Sequence, residues 1–173
     1  EKIKMHCRVK DWTIDRFAAR HVEALMNTFM NRVPIGSDVT LFGFSGGGVM
    51  ALQLAGLLRD RYTFQKIVLA GTPVDVNAWT ESNGYSQLTL ENYPETLGHL
   101  ASGLVPIFAL FGDLDTTVSD KHLGIADEVG LTIKAYLLPN TSHANLPVAK
   151  VTIEILTQPQ NEDSLLESPR PSE

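Results

Sequence analysis

The stretch "LFGFSGGGVMA", Leu41 to Ala51, decides how this chain is read. It opens as a short apolar run, passes through Gly43-Phe44-Ser45-Gly46-Gly47, and continues into small residues able to start a helix. Gly43, Gly46, Gly47 and Gly48 crowd around the single Ser45. Glycine loses the most backbone freedom on folding and weakens either a strand or a helix. Four of them within six residues need a reason other than stability.

Immediately upstream, Val39–Phe44 is a short β-type run. Immediately downstream, Gly46–Arg59 is apolar almost all round, as a buried helix is. Ser45 therefore sits where a buried strand turns sharply into a buried helix. A serine in such a turn is held in a strained backbone conformation with its hydroxyl above the sheet edge. Flanking glycines are expected where a Cβ would strike the neighbouring strand or helix. The backbone N–H of Gly46, at the helix N-terminus, is expected to point where an oxyanion forms. Gly43-Phe44-Ser45-Gly46-Gly47 fits the G-x-S-x-G nucleophile elbow.

Outward from the elbow the chain alternates between strands and helices. Ile3–Val9 reads as an edge strand. Asp11 or Thr13 caps a helix whose Phe17, Val22, Leu25, Met26 and Phe29 share a face, and Pro34 and Gly36 end it. Beyond the elbow helix come a strand at Phe64–Ala70, an irregular segment at Thr72–Gly103 and a buried strand at Val105–Phe111. A helix at Ser119–Val129, a strand at Leu131–Leu138 and a helix at Leu146–Leu156 follow. This alternation predicts an α/β fold, a parallel sheet of about five strands with helices on both faces. One domain is expected over residues 1–156, with residues 72–103 as a short cap. Thr157–Glu173, with three prolines and four acids against one arginine, reads as a disordered acidic tail.

Composition excludes several classes. The 173 residues suffice for one domain. A net charge of −6, half of it in the tail, argues against a nucleic-acid partner. No window is apolar enough for a membrane span. The single Cys7 forbids an internal disulfide and leans the expectation towards a reducing, cytoplasmic compartment. The histidines and acids lack the clustered spacing of a metal site, so neither metal nor cofactor is expected.

A nucleophilic serine needs a base, and the base an orienting acid. Among five histidines, His6, His21, His99 and His122 lie near the start, within helices or in the irregular segment. His143 differs, because it follows the last strand in the loop "PNTSHANLP". The preceding strand ends in "LFGDLDTTVS", which offers Asp113 and Asp115. Serine, acid and histidine then fall just beyond the C-terminal ends of strands, where ligands bind in open parallel sheets.

From about Thr13 to Leu156 the chain resembles the α/β-hydrolase superfamily. "GFSGGGVMAL" is similar to the elbow of carboxylesterases and acyl-protein thioesterases. "PIFALFGDLDTTV" resembles their acid-bearing strand and maps the acid to Asp115, and "LLPNTSH" resembles their strand-to-histidine loop. The resemblance also leaves Asp75, after "KIVLAG", as the acid position used by some thioesterases, and Asp113 as a further alternative. A weaker similarity, in "DWTIDRF" and "LAGTPVDV", points towards polyhydroxyalkanoate synthases and depolymerases, although the synthases carry cysteine where this chain has Ser45.

The resemblance implies a serine hydrolase acting on a small-molecule ester or thioester, with Ser45 as nucleophile, His143 as base and Asp115 as orienting acid. Phe44, Trp79, Tyr85 and Tyr93 are the candidates for contact with the substrate; the aromatics equally fit a role in packing the cap. The family usually has eight strands and a second oxyanion donor in a loop after an early strand. This chain has only Gly36 ahead of its elbow strand, so the N-terminal strands are expected to be missing or diverged. The alternatives are a non-catalytic hydrolase-fold binding domain and an acyltransferase of the polyester-synthase type.

Overall fold

The computed structural model describes residues 19–85, 88, 90, 92–103 and 105–157. The strand expected at Ile3–Val9, the start of the first helix with Phe17, and the acidic tail beyond Thr157 lie outside the described residues. Four parallel strands, β1 (Asp38–Phe44), β2 (Thr63–Ala70), β3 (Ile107–Gly112) and β4 (Lys134–Leu138), lie side by side in chain order. Helix α1 (Ala19–Arg32) precedes β1, and α2 (Gly46–Leu58) joins β1 to β2. Helices α3 (Val76–Ser82) and α4 (Tyr93–Ala101) lie between β2 and β3. A 3₁₀ turn at Asp120–Leu123 and α5 (Gly124–Glu128) lead to β4. A second 3₁₀ turn at His143–Val148 leads into α6 (Lys150–Thr157).

Alternation of side chains along the strands divides the core between the two sheet faces. Leu41, Ile67, Leu69, Ala109 and Phe111 pack with Val49, Leu52, Leu54, Tyr93 and Leu97. Val68, Ala70, Phe108 and Leu110 pack with Leu138, Leu146 and Ile155. Burial on both faces explains why β3 and the second half of β2, Ile67–Ala70, are continuously apolar, as parallel strands between helical layers are. The ladders end together: Phe44 pairs with Ala70, Ala70 with Leu110, and Gly112 with Leu138. Every loop leaving a strand end therefore starts on the same edge of the sheet.

The segment expected to be irregular contains two helices. Asp75 caps α3 by accepting the Ala78 N–H at 2.9 Å. In α4, Pro94 occupies the first turn, and Tyr93, Leu97 and Leu100 enter the core. Gly56 lets α4 lie on α2, since a Cβ there would come within 2.7 Å of the Thr96 carbonyl oxygen. The helix expected at Ser119–Val129 is broken at His122, whose φ of −88° and ψ of 28° leave the helical region. The last helix is likewise interrupted by extended backbone at Ala149, directly after the turn that contains Pro147.

Candidate active site

Ser45 has φ 52° and ψ −131°. This positive φ strains any residue with a Cβ, at a typical cost of about 1–3 kcal/mol. Two backbone bonds hold it there. The Ser45 N–H donates to the Ala70 carbonyl at 2.9 Å, and the Gly48 N–H donates to the Ser45 carbonyl at 2.9 Å. The side chain caps nothing, although Ser45 occupies the N-cap of α2. Its hydroxyl is thus left for other chemistry.

The glycines divide into needed and tolerated. A Cβ on Gly43 would stand 2.7 Å from Gly48 N and 2.8 Å from Gly47 O. A Cβ on Gly48 would drive into the Thr72 side chain, 2.5 Å from its Cγ2. Gly47, by contrast, faces open space. The steric need expected at the flanking glycines therefore falls on Gly43 and Gly48 rather than on Gly47. Packing against Gly48 also buries Thr72 Oγ1 without a hydrogen-bond partner among the described residues.

Asp115 and His143 meet. The fully buried Asp115 side chain accepts the Thr117 N–H at 2.8 Å and the Val118 N–H at 3.0 Å on Oδ1. Its Oδ2 lies 2.6 Å from His143 Nδ1. A proton on Nδ1 satisfies that contact, leaving Nε2 as the ring's acceptor in the neutral state. The imidazole lies between the elbow and the end of β2. Its ring centroid is 4.9 Å from that of Phe44, the residue before Ser45. Its other neighbour is Gly71, where a Cβ would stand 2.8 Å from both Cε1 and Nδ1. Gly71 has φ +52° and follows Ala70, whose carbonyl holds Ser45, so the histidine ring and the serine share one support.

The alternative acids are occupied elsewhere. Asp113 Oδ1 accepts the Thr141 N–H at 3.1 Å, and the Asp113 N–H donates to Leu138 O at 3.1 Å. Asp113 thereby staples the acid-bearing loop to the loop that carries His143, a longer reach than the local turn bracing its position suggests. Asp75 is committed to the cap of α3.

The aromatic candidates separate too. The Tyr93 ring is buried in the core, and its hydroxyl donates to Val74 O at 3.1 Å. Burial and the nearby Asp75 carboxylate push its pKa far above the ordinary tyrosine value. Trp79 and Tyr85 stack with centroids 5.4 Å apart, and Tyr85 is exposed. Gly46 opens α2, the position from which its N–H can serve an oxyanion.

His99 lies on the surface beside Glu95, His21 is half-buried on α1, and His6 is outside the described residues. His122 is the histidine that sequence reasoning undervalued. It is 7% exposed, with both ring nitrogens engaged. The spacing Ser119-x-x-His122 was the available signal, since a residue three positions after a helix-capping serine can bond back to it. Among the described residues no group of His, Cys, Asp or Glu could hold a metal ion, and no helix is long and apolar enough to cross a membrane.

No family profile and no curated protein sequence matches the chain. Solved structures do. A thioesterase domain from the curacin biosynthetic pathway aligns over 83% of this chain and 74% of its own, at 14% identity and a TM-score of 0.55. A novel esterase from Mycobacterium tuberculosis aligns over 80% and 67%, at 14% identity and a TM-score of 0.58. Est1E from Butyrivibrio proteoclasticus aligns over 78% and 65%, at 13% identity and a TM-score of 0.54. The chain thus spans about two thirds to three quarters of the length of these neighbours. Identities this low speak to architecture alone. With its consecutive parallel strands and its serine on a strained strand-to-helix turn, the chain has the α/β-hydrolase fold.

Proposed function

We propose that this chain is a serine hydrolase that cleaves a carboxylic ester or thioester through an acyl-enzyme. The single observation that carries this reading is the 2.6 Å contact between Asp115 Oδ2 and His143 Nδ1, with the ring set against Phe44 and Gly71, the chain neighbours of Ser45 and Ala70. In this role Asp115 fixes the tautomer and stabilises the imidazolium, as the acid of a triad does. His143 Nε2 takes the Ser45 hydroxyl proton while Oγ attacks the acyl carbon. Negative charge collects on the carbonyl oxygen and is met by the Gly46 N–H and the positive end of α2. The tetrahedral species collapses as His143 returns the proton to the departing alcohol or thiol. Water, deprotonated by the same nitrogen, then releases the carboxylic acid and restores Ser45.

The exposed Tyr85, lying against the half-buried Trp79, supplies apolar surface for the acyl group, and Phe44 supplies a wall beside the imidazole. The buried Tyr93 serves the core instead. Hydrolysis of a p-nitrophenyl acyl ester and of an acyl thioester tests the reading. Ser45→Ala is expected to lower kcat by about 10⁴–10⁶ with the fold retained. Undiminished turnover in that variant would overturn it.

A further inference from the structure

His122 lies outside the residues assigned to the chemistry, yet it joins the loop carrying Asp115 to α3. Three ties cross between them and span the whole helix. At its start, the Asp75 N–H donates to the His122 carbonyl at 2.7 Å. In its middle, Trp79 Nε1 donates to the Thr117 carbonyl at 3.0 Å. At its last residue, Ser82 Oγ lies 3.0 Å from His122 Nε2. The residue gripped by Trp79 is the same Thr117 whose N–H holds Asp115 Oδ1.

The ring nitrogens have settled roles. The Ser119 N–H donates to His122 Nδ1 at 3.0 Å, so that nitrogen is an acceptor and carries no proton. Nε2 therefore bears the hydrogen and donates it to Ser82 Oγ. The Ser82 hydroxyl in turn donates to Trp79 O at 3.1 Å. This arrangement excludes a second nucleophile–base pair, because a protonated Nε2 cannot accept the serine hydrogen. It satisfies every donor and acceptor in the chain of bonds only when the imidazole is neutral.

We propose that His122 is a positioning residue for the reaction, locking the Asp115 loop onto α3 so that the carboxylate is presented to His143. The inference rests on the function proposed above. Asp115 is held locally by two N–H groups of a turn, and a turn by itself fixes a carboxylate only relative to its own backbone. The Asp113 staple to Thr141 holds the start of that loop, and the ties to α3 hold its far side, from Thr117 to His122. Burial of His122 suits the task, since a buried neutral imidazole bonded at both nitrogens is a rigid strut.

His122→Leu keeps most of the side-chain volume and removes both ring bonds. It is expected to lower kcat about 10- to 100-fold, the range for a displaced catalytic group, with KM nearly unchanged. His122→Gln, whose amide nitrogen stands where Nε2 does and can still donate to Ser82 Oγ, is expected to restore most of the rate. The companion readout is the far-downfield NMR signal of the His143 Nδ1 proton, followed in a Ser45→Ala background where no turnover is needed. It should broaden or shift in His122→Leu and return in His122→Gln. Should His122→Leu fail to fold, Ser82→Ala, which removes the partner of Nε2 and leaves the imidazole in place, is expected to perturb the same signal.

Wild-type kcat together with an unshifted signal in a folded His122→Leu would overturn the proposal. So would an unshifted signal in Ser82→Ala if His122→Leu does not fold. Absence of all hydrolysis in the unmodified protein would instead count against the proposed function, and the NMR comparison would still decide the role of His122.

Discussion

The two halves of the site are held by different means. The serine half is held by steric fit: Ser45 is strained at φ 52°, two backbone bonds keep it there, and Gly43 and Gly48 allow contacts that no Cβ would survive. It even leaves the Thr72 hydroxyl buried without a partner among the described residues. The acid–histidine half is held by hydrogen bonds. Thr117, Val118, Thr141 and Trp79 each donate or accept at a defined place, and Asp113 and Asp115 are both engaged. Steric fit fails abruptly when an atom is added, whereas a bonded mesh fails by degrees as donors are removed. Strain concentrates where the nucleophile must stand clear of the sheet, and satisfied polar bonding where a charge must be oriented.

The largest effect expected from breaking the bonded half is at Asp115. Asp115→Asn should leave the fold intact and lower kcat by up to about 10⁴, because the amide allows the imidazole the wrong tautomer. Asp113→Asn and Asp75→Asn keep an oxygen able to accept the Thr141 and Ala78 N–H groups, so both should retain most activity. Steady-state kinetics on the three variants checks this, and an inactive Asp75→Asn would move the acid from the loop after β3 to the loop after β2.

The steric half is broken by a single methyl group. Gly48→Ala forces a Cβ into Thr72, a form of overpacking that typically costs about 1–3 kcal/mol, and it should displace the elbow and sharply lower kcat. Gly47→Ala meets nothing and should leave kcat within a few-fold, with stability equal or improved. Thermal unfolding alongside kinetics separates the two. Equal damage from both substitutions would contradict the division of the glycines.

The smallest effect expected is one of pH on stability. Burial holds the pKa of His122 below its ordinary value of about 6.5, although Asp75, Asp115 and Asp120 pull the other way. The unfolded chain therefore takes up this proton before the folded one does. The resulting stabilisation is complete above about pH 6.5 and is lost as the pH falls below it towards the folded-state value. The drop in Tm between pH 7.5 and pH 5.5 should be smaller in His122→Asn than in the unmodified protein. An equal drop would show that His122 carries no such linkage.

The same contrast explains what was legible in the sequence. Glycine marks steric necessity directly, so the turn at Ser45 and the strands on either side of it stand out from the residues alone. The bonded half depends mainly on backbone N–H and carbonyl groups, which every residue possesses. Spacing could propose Asp115 and His143, but nothing in "LFGDLDTTVS" reveals that Thr117 is gripped by Trp79 from across the fold. Helix α3 was hidden because its seven residues, "VNAWTES", are too short and polar to show helical periodicity. Helix α4 has Pro94 in its first turn, where proline is tolerated, and Gly98 within it, residues that carry no helical signal of their own. His122 read as a surface or partly buried residue at the start of a helix, whereas the structure buries it at a break in the helical backbone.

The most direct test of the central claim is covalent labelling with a fluorophosphonate, which requires an activated serine and no knowledge of the substrate, followed by mass-spectrometric mapping of the modified peptide. A single adduct on Ser45 is expected, lost in Ser45→Ala and strongly slowed in Asp115→Asn. An adduct on another serine, or labelling that proceeds at the same rate in Asp115→Asn, would contradict it.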